Sequence, residues 1–424
     1  MTVVALEPVT SLRDLLAAAR ARTLMLVSSL ETGQWLGPKI DIVNPPLWEF
    51  GHVGWFEEHW CLRHGYPGRA SLHADADALY DSARVPHEQR WTLPLPDPED
   101  TLRYLSAVRE AIEMRMQRES LDYFAQLSAF HEEMHCEALT YTRQTLGYAA
   151  PESKSTSVAG AAWPGDVQID GGRFSLGAVD DGRFIFDNEK SAHVIEVLPF
   201  RMARAPVTNA AFAEFVEAQG YRTRRWWSDQ GWIWRTRMGV EMPRYWQKTG
   251  AGWSRRHFDR LEVLPVHEPV IHVSWYEAEA WCRWAGRRLP TEAEWEFAAA
   301  TVPGNTANKR RYPWGDDLPD GTKANLYGVA GQCLPVSACA AGDSAWGVRQ
   351  MVGNTWEWTA DWFQPYPGFV RDPYAEYSEP WFGNHKVLRG GCHATRSTLI
   401  RNTWRNFYTP GRNDVYAGFR TCAL

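Results

Sequence analysis

The sequence predicts a multidomain protein of α and α+β class: an N-terminal four-helix bundle over residues 1–150 and a C-terminal α+β domain over residues 165–424. Three observations carry this. The chain has 424 residues, too many for one core. Its first 148 residues hold long runs of helix formers around one long polar loop, the pattern of a bundle with a crossover. After a linker-like stretch at 149–163 (AAPESKSTSVAGAAW), short β-like runs alternate with turns.

The elements follow in order. Residues 11–31 read as the first helix, with Ser11 as its N-cap. Asn44-Pro45-Pro46 breaks the chain and opens a second helix, 47–63, because proline suits a first helical turn. Residues 65–98, rich in Gly, Pro, Asp and His, read as a long crossing loop, and loops this long are often functional. Pro98-Glu99-Asp100 opens a third helix, to about 117. The fourth runs from about 120 to 146 and stops at Gly147, a C-cap residue. Beyond the linker, β-like runs lie at 167–169, 173–176, 193–197, 202–203, 270–273 and 387–388. Gly171-Gly172 and Gly390-Gly391 mark turns, and helices are expected over 209–218 and 275–284. No fixed period recurs, which excludes a solenoid.

Composition narrows the function classes. A net charge of −6 with no basic run argues against a nucleic-acid partner. No apolar run approaches the ~18 residues of a membrane helix, so no membrane role is expected. Residues 1–30 read as an amphipathic helix rather than a signal peptide, with Arg13, Asp14, Arg20 and Arg22 among Leu and Ala. Seven scattered cysteines without a CxxC pair fit a reducing cytoplasm. The 23 tryptophans point to extensive aromatic packing and an aromatic-lined pocket.

The stretch with the clearest chemistry is Phe130-His131-Glu132-Glu133-Met134-His135. It sits within a run free of Gly and Pro, and positions i and i+4 of a helix share one face. Both imidazoles then project into one site, a metal-ligand signature. The alternative is a pair of polar residues on a solvated face.

Residues 168–424 resemble the formylglycine-generating-enzyme/sulfatase-modifying-factor family, whose fold is a C-type-lectin-like variant. The segments that carry the likeness include 172–177 (GRFSLG), 206–209 (PVTN), 269–275 (PVIHVSW), 288–296 (RLPTEAEWE), 352–359 (VGNTWEWT), 388–391 (LRGG) and 417–420 (AGFR). Most of these read as fold-building. The family's oxidase members use a cysteine pair after the Arg-Gly-Gly turn. Here Cys392 stands alone, which argues against formylglycine generation and for a small buried residue.

The first half adds a second resemblance. A bundle with a histidine on its second helix and a histidine pair on its fourth resembles DinB-like metal-binding domains. A DinB-like bundle fused to this second domain resembles the ergothioneine sulfoxide synthases and their selenoneine synthase relatives, over nearly the whole chain. The resemblance implies His52, in Trp48-Glu49-Phe50-Gly51-His52, together with His131 and His135, as ligands of Fe(II). It implies O₂-dependent bonding of sulfur or selenium to the imidazole ring of hercynine, a trimethylhistidine, giving a sulfoxide or selenoxide. It also implies a site that draws on both domains. The betaine pocket would use the segments 362–369 (WFQPYPGF) and 404–408 (WRNFY), with Asn406, Phe407 and Tyr408 beside the substrate and Tyr366 as the catalytic tyrosine. Phe407 and Tyr366 also read as plain core aromatics.

Three departures separate this chain from the better-known sulfoxide synthases. Phe363 falls where they carry a tyrosine implicated in proton or electron supply. Met134 stands where they often carry glutamine. They clamp the carboxylates of γ-glutamylcysteine with closely spaced arginines in the long loop, whereas here Arg84 and Arg90 are further apart. Two carboxylates want paired guanidinium forks and a neutral sugar does not. Together with the segments around His52 and His135, this favours the selenoneine branch, with a selenosugar donor rather than a cysteine or γ-glutamylcysteine thiol. Arg90 either contacts the sugar or braces the loop.

Two other classes stay open. His131-Glu132-Glu133-Met134-His135 also fits the His-Glu-x-x-His zinc protease pattern, with Glu132 as general base. The longer metzincin pattern fails at Ala138 and Tyr141. A binding module without catalysis is the third reading, since both folds include such modules. Iron, zinc or little bound metal would separate the three.

Overall fold

A computed structural model describes residues 11–153, 158–250 and 252–424. Residues 1–10, where the first domain was expected to begin, and 154–157 of the expected linker lie outside the described residues. The described residues form two compact units: one takes in 11–152 with 257–260, the other 153–256 and 261–424.

The first unit is helical. Helix α1, Leu12–Val27, starts where Ser11 Oγ accepts the Asp14 N–H, and closes at Ser28, short of the expected residue 31. Helix α2, Pro46–Glu58, has proline in its first turn and continues as a π-helical turn, His59–Arg63. The expected span 47–63 is therefore helical throughout but changes pitch at its end. The long loop is not wholly irregular, since it holds a short helix α3, Ala76–Tyr80, and a 3₁₀ turn, His87–Gln89. Helix α4, Pro98–Met116, is capped by Asp97, and α5 spans Asp122–Leu146. Gly147 ends α5 in the left-handed conformation, φ 70°, which glycine adopts without strain.

Helix α5 packs on α1 and α2, and α2 packs on α4. Their shared core buries Leu16, Ala19, Leu26, Phe50, Val53, Phe56, Leu105, Val108, Ile112, Leu127 and Leu139. Beside that core, Arg20 bridges Glu57 at 2.9 Å and Glu132 at 2.7 Å. Among the described residues no helix is long and apolar enough to cross a membrane.

The second unit is α+β. Strands β1 (Asp166–Ile169), β2 (Gly172–Leu176), β3 (His193–Val197) and β4 (Phe200–Ala203) come first, then helices α6 (Asn209–Glu217) and α7 (Asp229–Met238). A meander follows, β5 (Trp246–Thr249), β6 (Gly252–His257) and β7 (Arg260–Val263), then α8 (Trp275–Trp284), β8 (Arg287–Arg288) and α9 (Glu292–Ala300). The chain closes with β9 (Trp356–Trp362), β10 (Lys386–Arg389), β11 (Asn406–Tyr408), β12 (Ala417–Gly418) and β13 (Cys422–Ala423). The sheets are β1-β4-β13-β8, β11-β10-β9-β12, β2-β3 and β5-β6-β7.

The expected strand at 270–273 is absent. His272 takes φ 61°, which breaks an extended run, and Val270 and Val273 instead make single backbone bonds to Val207 and Ala417. Helix α9 was not anticipated, although Thr291 and Glu294 form a reciprocal capping box at its start. Trp295 and Phe297 of α9 enter a core with Ile169, Met202, Trp346, Val348 and Met351. The Asn354 motif is structural: the buried Asn354 side chain accepts from Leu334 N and donates to Leu334 O, tying a loop to β9. Cys392 is fully buried, and the other six cysteines are buried as well.

Candidate metal centre

The α2 sequence presents His52 on its inner face, and the i, i+4 spacing presents His131 and His135 from α5. One ligand atom from each histidine lies within 4.8 Å of the others. Ring centroids are 5.1 Å apart for His52–His131, 4.9 Å for His52–His135 and 4.5 Å for His131–His135. Imidazole nitrogens sit at ~2.0–2.1 Å from a bound zinc-like ion, so modest side-chain rotation closes this set on one ion.

Two of the rings are held by their surroundings. His52 Nδ1–H donates to the Tyr80 carbonyl at 2.8 Å, which leaves Nε2 as the ligating atom. Trp48 stacks on His52 at 4.7 Å, and Phe56 stacks on His131 at 3.5 Å. Burial, then the neighbouring His135, holds the His52 pKa well below its ordinary value, and the same causes act on His131. Neutral imidazoles are the form that binds a metal. Three imidazole ligands suit Fe, Zn or Cu and leave positions open on the ion.

Glu132, the base of the protease reading, faces elsewhere. Its carboxylate accepts from Arg20 Nε at 2.7 Å and Thr23 Oγ1 at 2.8 Å. A helix turns ~100° per residue, so the residue after His131 points away from the histidine face.

Arg90 is buried in the helical unit. Its guanidinium lies 3.8 Å over the Trp48 ring, with Nη1 donating to Asn44 Oδ1 at 2.7 Å and Nη2 to the Val85 carbonyl at 3.2 Å. Arg84 is exposed and pairs with Asp81 at 3.2 Å. Glu49, three residues before His52 on α2, is buried, and its Oε2 lies 3.8 Å from His135 Nδ1. The sequence reading singled out neither Glu49 nor Asn44. The i, i+3 spacing of Glu49 and His52 was the available signal.

The remaining candidates lie in the second unit. Phe407 on β11 pairs with Val387 of β10, and its ring stacks on Phe363 at 4.1 Å. Phe363 is fully buried, with the Arg405 guanidinium 4.8 Å from its ring centroid. Tyr366 is buried beside the same guanidinium at 4.1 Å, and its hydroxyl has no hydrogen-bond partner. Burial, the largest cause, pushes that phenol well above its ordinary pKa, so it stays protonated. Asn406 turns its carbonyl oxygen onto the Phe407 N–H at 2.8 Å, and the half-buried Tyr408 ring lies 5.1 Å from the Arg412 guanidinium. The structure thus groups Phe363, Phe407 and Tyr366 around Arg405, and groups Arg90 with the histidine helix.

Comparison with known proteins agrees with both halves. Residues 15–139 match the DinB superfamily, and residues 152–423 match the sulfatase-modifying factor enzyme 1-like domain. A hercynine oxygenase of Mycolicibacterium thermoresistibile is 40% identical, covering 99% of this chain and 96% of that protein. Another from Mycobacterium tuberculosis is 40% identical, covering 96% of both chains. A formylglycine-generating enzyme of Streptomyces coelicolor is 33% identical over 66% of this chain. That last likeness covers two thirds of the chain, whereas the first two take in nearly all of it, the histidine-bearing helices included. The chain belongs to the hercynine oxygenase family, a family of oxidoreductases.

Proposed function

We propose that this protein is a non-heme Fe(II) enzyme that joins selenium from a selenosugar to the imidazole ring of hercynine, using O₂. The observation that carries the reading is the convergence of the buried His52 and His131 with the half-buried His135, in a chain matched along its length by hercynine oxygenases. Bound iron would supply the one-electron chemistry with O₂ that side chains lack. The overall reaction balances without an external reductant. One C–H and one Se–H bond are lost, a C–Se and a Se–O bond form, and the second oxygen atom leaves as water.

The protein's own residues would bind and orient. A trimethylammonium favours aromatic faces, and the half-buried Phe407 ring is the candidate for that contact. Phe363 has no hydroxyl to give or take a proton. The protonated Tyr366 Oη, buried without a partner, is the candidate donor in its place.

The donor assignment rests on the loop arginines. Arg90 spends its guanidinium on Asn44, Val85 and Trp48, and Arg84 pairs with Asp81. Neither offers the paired fork that a two-carboxylate peptide thiol would want, and a carboxylate desolvated without such a partner is costly. A selenol is also more acidic than a thiol, whose reference pKa is ~8.5, so more of it is nucleophilic at neutral pH.

The test is a competition assay. Fe(II)-loaded protein, hercynine and O₂ are given a selenosugar and γ-glutamylcysteine at equal concentration, and products are read by mass spectrometry. The selenoxide should predominate. Predominance of the cysteine-derived sulfoxide would overturn the donor and leave hercynine oxidation standing. Neither product, with zinc bound in place of iron, would overturn the reaction itself.

A further inference from the structure

We propose that Glu49 is the positioning residue for His135, held in register by Asn44 and Arg90, and that this arm sets the affinity of the centre for a divalent metal. The inference rests on the reading of the three histidines as ligands.

Glu49 sits in the first turn of α2 and is 3% exposed. Its Oε1 accepts from Asn44 Nδ2 at 2.9 Å, whereas its buried Oε2 has no hydrogen-bond partner. His135 Nδ1 is likewise buried without a hydrogen bond. These two atoms face each other at 3.8 Å, about 1 Å beyond hydrogen-bond length. Leaving both unpaired in the interior is costly, and one small rotation satisfies both.

That pairing has a chemical consequence. A carboxylate oxygen accepts, so His135 Nδ1 must carry the hydrogen, and Nε2 is left to face the ion. The Tyr80 carbonyl imposes the same tautomer on His52. Metal-bound histidines commonly hold their second nitrogen against a carboxylate or carbonyl in this way. Glu49 is not itself a member of the set of ligand atoms lying within 4.8 Å of one another, so it acts through His135.

The rest of the arm fixes the carboxylate. Asn44 accepts from Arg90 through Oδ1 and donates to Glu49 through Nδ2, so its amide has one orientation. Arg90 is anchored on the Val85 carbonyl and over Trp48, the ring that stacks on His52. One arginine therefore supports two ligands, one through a hydrogen-bond chain and one through a stack.

The experiment uses the full-length protein. Co(II) is titrated and followed by its visible absorption, and the imidazole N–H protons of the Zn(II)-loaded protein are read by NMR. Glu49→Gln should weaken Co(II) binding about 10- to 100-fold and shift the His135 Nδ1–H resonance, with the His52 resonance unmoved. Glu49→Asp should recover part of the loss, and Asn44→Ser should lose less than Glu49→Gln. Glu49→Gln that folds, binds within twofold of wild type and keeps the His135 resonance would overturn the proposal. If Glu49→Gln does not fold, the same comparison on Asn44→Ser decides: wild-type affinity and an unmoved His135 resonance would overturn it. His135→Ala with wild-type Co(II) affinity would instead sink the metal reading, and this inference with it.

Discussion

In the second unit, Glu292, Glu296 and Glu357 are buried, and each meets a buried guanidinium. Arg389 reaches Glu292 at 2.8 Å and also pairs with Glu296, Arg405 reaches Glu292 at 2.7 Å, and Arg420 reaches Glu357 at 2.6 Å. In the helical unit, three imidazoles converge with no acid among them, and Glu49, 3.8 Å from His135, keeps one oxygen without a hydrogen bond. The first arrangement is closed in charge: each carboxylate meets a guanidinium, and the product is a braced loop core. The second is open, because imidazoles gain little from each other and much from a metal cation. Density of buried polar groups does not by itself mark a site. What marks it is whether the groups complete one another.

The contrast is broken most severely by exchanging one residue on each side. His131→Ala should reduce Fe(II) occupancy at least about 100-fold and leave a protein that folds, checked by iron analysis and thermal unfolding. Arg389→Met should leave two acids short of their partner and cost about 3–5 kcal/mol of stability, checked by denaturant titration. If His131→Ala unfolded the protein and Arg389→Met did not, the open and closed labels would be reversed.

A smaller effect is expected at Gly51. A Cβ there would lie 2.2 Å from the Tyr80 ring, and Tyr80 supplies the carbonyl that orients His52. Gly51→Ala should cost about 1–3 kcal/mol by overpacking and should weaken metal binding as well. Weakened stability with unchanged Fe(II) affinity would detach the Tyr80 carbonyl from the site.

The smallest effect is expected in the aromatic cluster. Phe407→Leu removes a quadrupole that would attract a trimethylammonium, worth about 0.5–2 kcal/mol. Hercynine affinity by calorimetry should fall up to about 30-fold, with Fe(II) binding unmoved. An unchanged hercynine affinity would return Phe407 to the role of core aromatic against Phe363.

Much of the helical unit was legible because its signals are local. The i, i+4 histidine pair, the Gly147 stop and the Ser11 cap each depend on a few neighbouring residues, and helix geometry converts that spacing into a shared face. The capping box at Thr291 was equally local and was present in the sequence although α9 was not anticipated. Residues 270–273 misled because an apolar β-branched run reports burial, and the left-handed turn at His272 is imposed by neighbours far along the chain.

Composition and spacing alone thus determined two domains, a bundle first and an α+β unit second, and two of the three converging imidazoles. The third came from a resemblance over the whole chain, since nothing local links residue 52 to residue 131. Only the tertiary structure decided that Glu49 faces His135, that Arg90 turns inward onto Trp48, and that Phe363, just past the end of β9, stacks on Phe407 of β11. Those contacts join residues 42 to 86 positions apart, and the direction of a side chain at such range is set by packing of whole elements rather than by neighbours in sequence.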